Sequence, residues 1–140
     1  RSEHTMKDVI FDDFQNMVSE SLVRHKSIID VLSKLQETEA KISRGVCKSV
    51  TSCGCIAINA QKQKFPSECT DDMTFEDFHG FTCTHIDGSL CDNCREVIEK
   101  EIGDNIFYLA SLCNLLDLNM YDILLDEYNK MKMLGKYHLK

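Results

Sequence analysis

The chain is short of everything that breaks a helix. It holds one proline, Pro66, only six glycines in 140 residues, and no tryptophan. So few breakers count against a strand-and-turn architecture and favour helices. It also lacks a basic excess: 16 Lys and Arg stand against 23 Asp and Glu, for a net charge of −7. That balance argues against non-specific binding to nucleic acid or to an anionic membrane, because both need a basic face to displace counterions. No apolar run approaches the ~20 residues that cross a bilayer, and no secretory signal is visible. The expected setting is therefore cytoplasmic, and a natural start at Met6 would make Arg1–Thr5 added residues.

What is present is ordinary for a folded protein, with 43% apolar and 28% charged residues. The length suits one domain with a real core, expected to span 1–140. The unusual component is cysteine. There are eight, at positions 47, 53, 55, 69, 83, 91, 94 and 113. Secreted disulfide scaffolds are usually loop-rich and shorter than ~100 residues. Long amphipathic segments here favour intracellular metal binding by some of the cysteines instead.

Those segments predict four helices. Val9, Ile10, Phe14, Met17, Val18 and Leu22 recur at spacings of three and four, which places a first helix over Met6 to about His25. Ser27 is a candidate cap for a second, from Ile28 to about Ser52, with a stripe of Ile28, Leu32, Leu35, Ile42, Val46 and Val50 interrupted by Glu39. A third is expected to start at Asp92 or Asn93 and run to about Leu116, burying Ile98, Ile102, Ile106, Leu109, Cys113 and Leu116. Asn119 should cap a fourth, with Asp122 in the capping-box position and an end near Gly135. Residues 56 to 90 show no sustained period. They carry Pro66, Gly80, Gly88, the acidic pair Asp71-Asp72 and an apolar patch around Phe75 and Phe78. A connection this long is unusual in a compact domain, and a metal clip would explain how it is held. The expected fold is all-α, four helices with a cysteine-bearing insert over 53–91.

Cys53-Gly54-Cys55 sets two thiols on one tight turn, where Gly54 relieves the backbone. Cys91-Asp-Asn-Cys94 sets two more at a helix N-terminus, where unpaired N–H groups and the dipole favour thiolate. Together they supply four soft ligands, the complement of a structural zinc or an iron–sulfur cluster, which ligand type does not separate. A redox-active Cys91/Cys94 pair and cysteines that merely fill the core are the alternatives. Cys47 and Cys113 fall on apolar helix faces and read as core. Cys69, Cys83, His79 and His85 in the insert are not expected to be ligands.

Glu101 and Asp104 lie three apart on the third helix, so both project from one face, and Glu37 on the second helix could face them. Clustered carboxylates suit magnesium, which can bridge phosphates and activate water; the bland reading is a solvated acidic face. The segment Glu101-Ile-Gly-Asp104-Asn-Ile-Phe107-Tyr108-Leu109 resembles the E-[LI]-G-D-x-L-F-Y-L signature of the MazG-like, all-α nucleoside triphosphate pyrophosphohydrolases. Lys34-Leu35-Gln36-Glu37 resembles the start of that family's K-L-x-E-E-x-x-E helix, and Asn129-Lys-Met-Lys132 its N-x-x-[RK]. Where the family has its E-x-x-E pair, this chain has Thr38 and Lys41. The resemblance implies a MazG-like bundle, Mg2+ held by Glu101 and Asp104 with help from Glu37, and a nucleotide whose phosphates approach Asn129 and Lys132. It further implies a homo-oligomer, a dimer or tetramer, to which Met120, Tyr121, Leu125 and Tyr128 would add apolar surface. The other reading is a non-catalytic module that keeps the bundle and uses its metal centre for structure, redox sensing or partner binding.

Overall fold

Ser27 is extended (φ −67°, ψ 136°) and its hydroxyl accepts the Ile29 N–H at 3.3 Å. It thereby satisfies one of the donors that a helix start leaves open, and caps the second helix as its residue type suggests. The computed structural model describes residues 3–22, 24, 26–64 and 82–134, with side chains from residue 9 onward. The expectations placed on Pro66, Cys69, Asp71, Asp72, Phe75, Phe78, His79, Gly80 and Gly135 lie outside these residues. In chain order come α1 (Glu3–Ser21), α2 (Ile28–Lys48), a widened π turn (Ser49–Cys53), β1 (Ile56–Ile58), β2 (Ile86–Gly88), α3 (Asp92–Leu115) and α4 (Met120–Leu134). The first helix thus ends at Ser21, short of the expected His25.

The architecture is mostly helical, as the scarcity of breakers implies. It is not purely so. The insert, expected to be without regular structure, contributes two three-residue strands that pair antiparallel, Ile56 opposite Gly88 and Ile58 opposite Ile86. Three residues on each strand give no period to detect in the sequence.

The most extensive packing is between α2 and α3, which run antiparallel. Thr38 accepts the Asn105 side-chain amide at 3.0 Å, and Gly45 sits against Ile98, where an added Cβ would lie 3.2 Å from Ile98 Cγ1. The inward positions of α2 are Val31, Leu35, Thr38, Ile42, Gly45 and Ser49, a run of alternating four and three. On α3 they are Cys94, Ile98, Glu101, Asn105, Tyr108 and Leu112, in the same rhythm. That alternation is the seam geometry of helices crossing at a shallow angle.

This corrects both stripes read from the sequence in part: Leu35, Ile42, Ile98 and Cys113 do face inward, and most of the rest of each stripe does not. Ile28, Leu32 and Val46 of α2, and Ile102, Ile106, Leu109 and Leu116 of α3, are exposed, between 37% and 54%. The seam interrupts its aliphatic residues with small and polar ones, Thr38, Gly45, Ser49, Glu101 and Asn105, which weakens its hydrophobic signal. The strong apolar stripe lies beside it. At 100° per residue the two exposed stripes turn to the same side of the antiparallel pair. The opposite side presents Lys34, Glu37, Lys41, Arg44 and Lys48 from α2 and Val97, Glu101 and Asp104 from α3.

Helix α1 packs on the C-terminal half of α3, with Val18 and Leu22 buried. Gln15, 6% exposed, is the polar clasp of this contact. Its amide donates to Asn114 Oδ1 and to the Leu118 carbonyl, both at 3.1 Å, while its oxygen accepts the Met120 N–H at 2.7 Å. The α3–α4 turn is closed by the Leu118 N–H on the Cys113 carbonyl, with Asp117 left-handed (φ 56°) where glycine is commoner. Asn119 accepts the Asp122 N–H at 2.9 Å, the expected cap of α4. Helix α4 has no buried residue among those described; its contact with α1 includes the ring of Tyr121 at 6.1 Å from that of Phe11.

Candidate metal centre

The end of α2 decides where the first thiol pair points. From Ser49 the helix widens to a π turn, closed by the Gly54 N–H on the Ser49 carbonyl at 2.8 Å, and Gly54 takes φ +80°. A side chain is disfavoured in that conformation. The turn carries Cys53 to the edge of the helix end and starts the reversal that brings Cys55 back beside it. The Cys55 thiol lies 3.8 Å from the Ser49 carbonyl, to which it donates.

The second pair is placed by α3. Cys91 is the cap of that helix: it is extended (φ −69°, ψ 165°) and its sulfur accepts the Cys94 N–H at 3.4 Å. The caps expected from residue type, Asp92 and Asn93, are instead the first two helical residues. A thiolate cap exploits the open N–H groups and the positive end of the helix in the same way as an oxygen cap. The strand pair draws the two halves together. Gly88 has φ +88°, and a Cβ there would fall 2.6 Å from the Cys55 carbonyl oxygen, so the second strand lies directly on the Cys53–Cys55 turn.

The result is one cluster. The sulfurs of Cys53, Cys55, Cys91 and Cys94 all lie within 4.8 Å of one another, and Cys53 Sγ is 3.8 Å from Cys91 Sγ. It is the only such grouping of His, Cys, Asp or Glu among the described residues. Four residues singled out by spacing are therefore brought together, and they can hold a metal ion. Their acidities reflect the crowding. The Cys94 backbone N–H, helped by the Cys94 thiol, draws Cys91 down to about 7. The Ser49 hydroxyl lowers Cys94, but Cys91, burial, Cys53 and Cys55 outweigh it and push Cys94 up to about 12. Cys53 is raised too: hydrogen bonds from the Cys55 N–H and the Cys94 thiol lower it, and Cys91, Cys55 and burial overcome them. Cys91 ionises easily while Cys53 and Cys94 resist, as like charges sharing a site must until a cation joins them.

The other cysteines stand apart. Cys113 is buried, and burial raises its thiol. Cys47, expected in the core, is exposed, because the seam of α2 is turned away from it. Cys83 is exposed outside the cluster; its sulfur accepts the His85 N–H at 3.3 Å and its backbone is held on both sides by Gln63.

The carboxylates are not gathered. Glu37 is held by Lys34 at 3.0 Å and Lys41 at 3.2 Å, whose hydrogen bonds keep its carboxyl below the ordinary range. Asp104 pairs with Lys100 at 2.9 Å. Glu37 and Asp104 line one cleft with Lys34, Lys41 and Tyr108, whereas Glu101 lines another, nearer the thiols. Asn129 and Lys132 are on α4, where Lys132 lies 5.8 Å over the Tyr128 ring and Asn129 lines a shallow surface hollow. No helix of the described residues is long and apolar enough to cross a membrane. Sequence reasoning missed the cations Lys41, Arg44 and Lys48 beside the centre, although their spacing of three and four was there to be read. Comparison with protein-family models, with curated proteins and with solved structures finds no match to this chain, and the MazG-like resemblance rests on its motifs alone.

Proposed function

We propose that Cys53, Cys55, Cys91 and Cys94 bind one zinc ion, which clasps the end of α2 to the start of α3 in a helical module whose main role is structural or regulatory. The sulfur–sulfur spacing carries this reading. Zinc–thiolate bonds of ~2.3 Å arranged as a tetrahedron put sulfurs about 3.8 Å apart, the separation found between Cys53 and Cys91. An iron–sulfur cluster sets irons and sulfides between its cysteines and spreads them more widely. The ion would supply the positive charge the crowded thiols need, and its binding energy would become folding energy for the strands and the helix junction.

The test is metal content together with the visible spectrum of protein purified without oxygen. Colourless protein with about one zinc per chain is expected, falling well below half in Cys91→Ser. Brown protein with iron and sulfide, or a zinc content that Cys91→Ser leaves unaltered, would overturn it.

A magnesium-dependent pyrophosphohydrolase on a MazG-like bundle is the second reading. It is favoured by Glu37 and Asp104 sharing a cleft with two lysines and Tyr108. The lysines already neutralising Glu37 and Asp104 count against it, since they oppose a dication. If Asp104→Asn leaves pyrophosphate release from nucleoside triphosphates unchanged, this reading fails.

The exposed apolar side of the α2–α3 pair is assigned to a second copy of the chain. A two-fold axis would cover it with the same face of a second pair, as a four-helix arrangement.

A further inference from the structure

The side of the α2–α3 pair opposite the apolar stripe holds a cleft of about 410 Å³ that ends against the thiol centre, with Cys53 and Cys94 in its wall. That is the size range of a small-molecule site. One wall is cationic: Lys41, Arg44 and Lys48, at spacings of three and four on α2, all line it. In a chain of net charge −7, such clustering needs a reason. Carboxylate partners account for only one of the three, although the thiol centre at the end of the cleft is a further source of negative charge. Lys41 is shared with Glu37, but Arg44 and Lys48 make no ion pair among the described residues.

The facing wall supplies the second observation. Glu101 is largely enclosed, its side chain 16% exposed, and its only cation among the described residues is Lys100 at 3.9 Å from Oε1. Its Oε2 is buried and receives no hydrogen bond. A carboxylate oxygen removed from water normally has a donor, and a turn of the Glu101 side chain towards the cleft it lines would let a ligand's N–H or O–H supply one. Asn93, in the first turn of α3, adds a side-chain amide and the positive end of that helix.

We propose that this cleft binds a small organic polyanion, its oxyanion groups on Arg44, Lys48 and Lys41 and a hydroxyl or amino group of the same molecule on Glu101. Arg44 is the residue suited to a two-point contact with either carboxylate or phosphate, and the lysines act as point charges beside it. The shared chemistry is the oxyanion, so a polycarboxylate and a phosphomonoester are both candidates. The binding groups are not thiols, so the metal would change the affinity through the charge of the centre beside the cleft without supplying a contact.

The test is titration calorimetry at low ionic strength on the full chain, with metal content measured on the same samples. Citrate, glycerol 3-phosphate and inorganic phosphate are the probes. Citrate or glycerol 3-phosphate is expected to bind with a dissociation constant below roughly 1 mM, more tightly than inorganic phosphate, which lacks the organic donor. Whichever of the two binds tells polycarboxylate from phosphomonoester. The double variant Arg44→Glu with Lys48→Glu should weaken binding at least about tenfold. Glu101→Met, which keeps the size and removes the oxygen acceptors, should abolish the preference over inorganic phosphate. Both cations are exposed, so the variants should keep their helicity and metal; if charge reversal disturbs either, Arg44→Gln with Lys48→Gln gives the same reading. Failure of both organic probes to bind metal-replete protein overturns the proposal, as does binding that the charge variants leave unaltered.

Discussion

Gly88 is the residue on which the metal centre leans hardest without contributing a ligand. It combines a left-handed backbone with the close approach of the Cys55 carbonyl. Gly88→Ala therefore meets strain and overlap together. It should destabilise the metal-loaded protein by about 1–3 kcal/mol and reduce zinc affinity, checked by thermal unfolding and by competition with a chelator. Gly54, also left-handed but with open space around its missing Cβ, should tolerate alanine better. At this scale the four clustered cysteines were legible, because both halves of the centre are local spacings. Cys91 as a helix cap was not legible, since the usual capping residues follow it immediately at Asp92 and Asn93. Cys47 was misread because its neighbours Val46 and Val50 suggested an inward face.

Helices α2 and α3 were legible as elements but not in their orientation. Hydrophobic periodicity mixed the exposed stripe with Leu35, Ile42 and Ile98 of the seam, because the contact between the helices also uses Thr38, Gly45, Ser49, Asn105 and Glu101. Close approach explains the choice: a glycine opposite Ile98, and a hydroxyl that accepts from Asn105 while donating to the carbonyls of Lys34 and Leu35. Gly45 offers a graded check. Alanine there gains ~1 kcal/mol of helix propensity but presses on Ile98 at 3.2 Å, so the two effects should nearly cancel. Gly45→Leu forces the helices apart and should lose about 1–3 kcal/mol in denaturant unfolding. It should also loosen the thiol cluster, because Ser49 and Cys94 continue the same seam.

The whole molecule is two-sided: one side of the α2–α3 pair is ionic and grooved, the other apolar and uncovered by the described residues. The composition could not reveal this, since 43% apolar is ordinary and only the arrangement is unusual. If a second copy covers the apolar side, Ile106→Glu should leave the helical content intact and shift the mass measured by light scattering from dimer to monomer. A wild-type protein that is monomeric at high concentration would refute the assignment.

The two halves of the thiol centre are separated by 38 positions along the chain. During synthesis Cys53 and Cys55 leave the ribosome first, as an incomplete pair next to a finished α2. Two thiols alone would hold a metal weakly and would be open to oxidation until Cys91 and Cys94 arrive. The order of translation thus makes the insert a waiting interval. Shortening it would change how long the nascent chain carries a half-built site, even where the finished protein stayed the same.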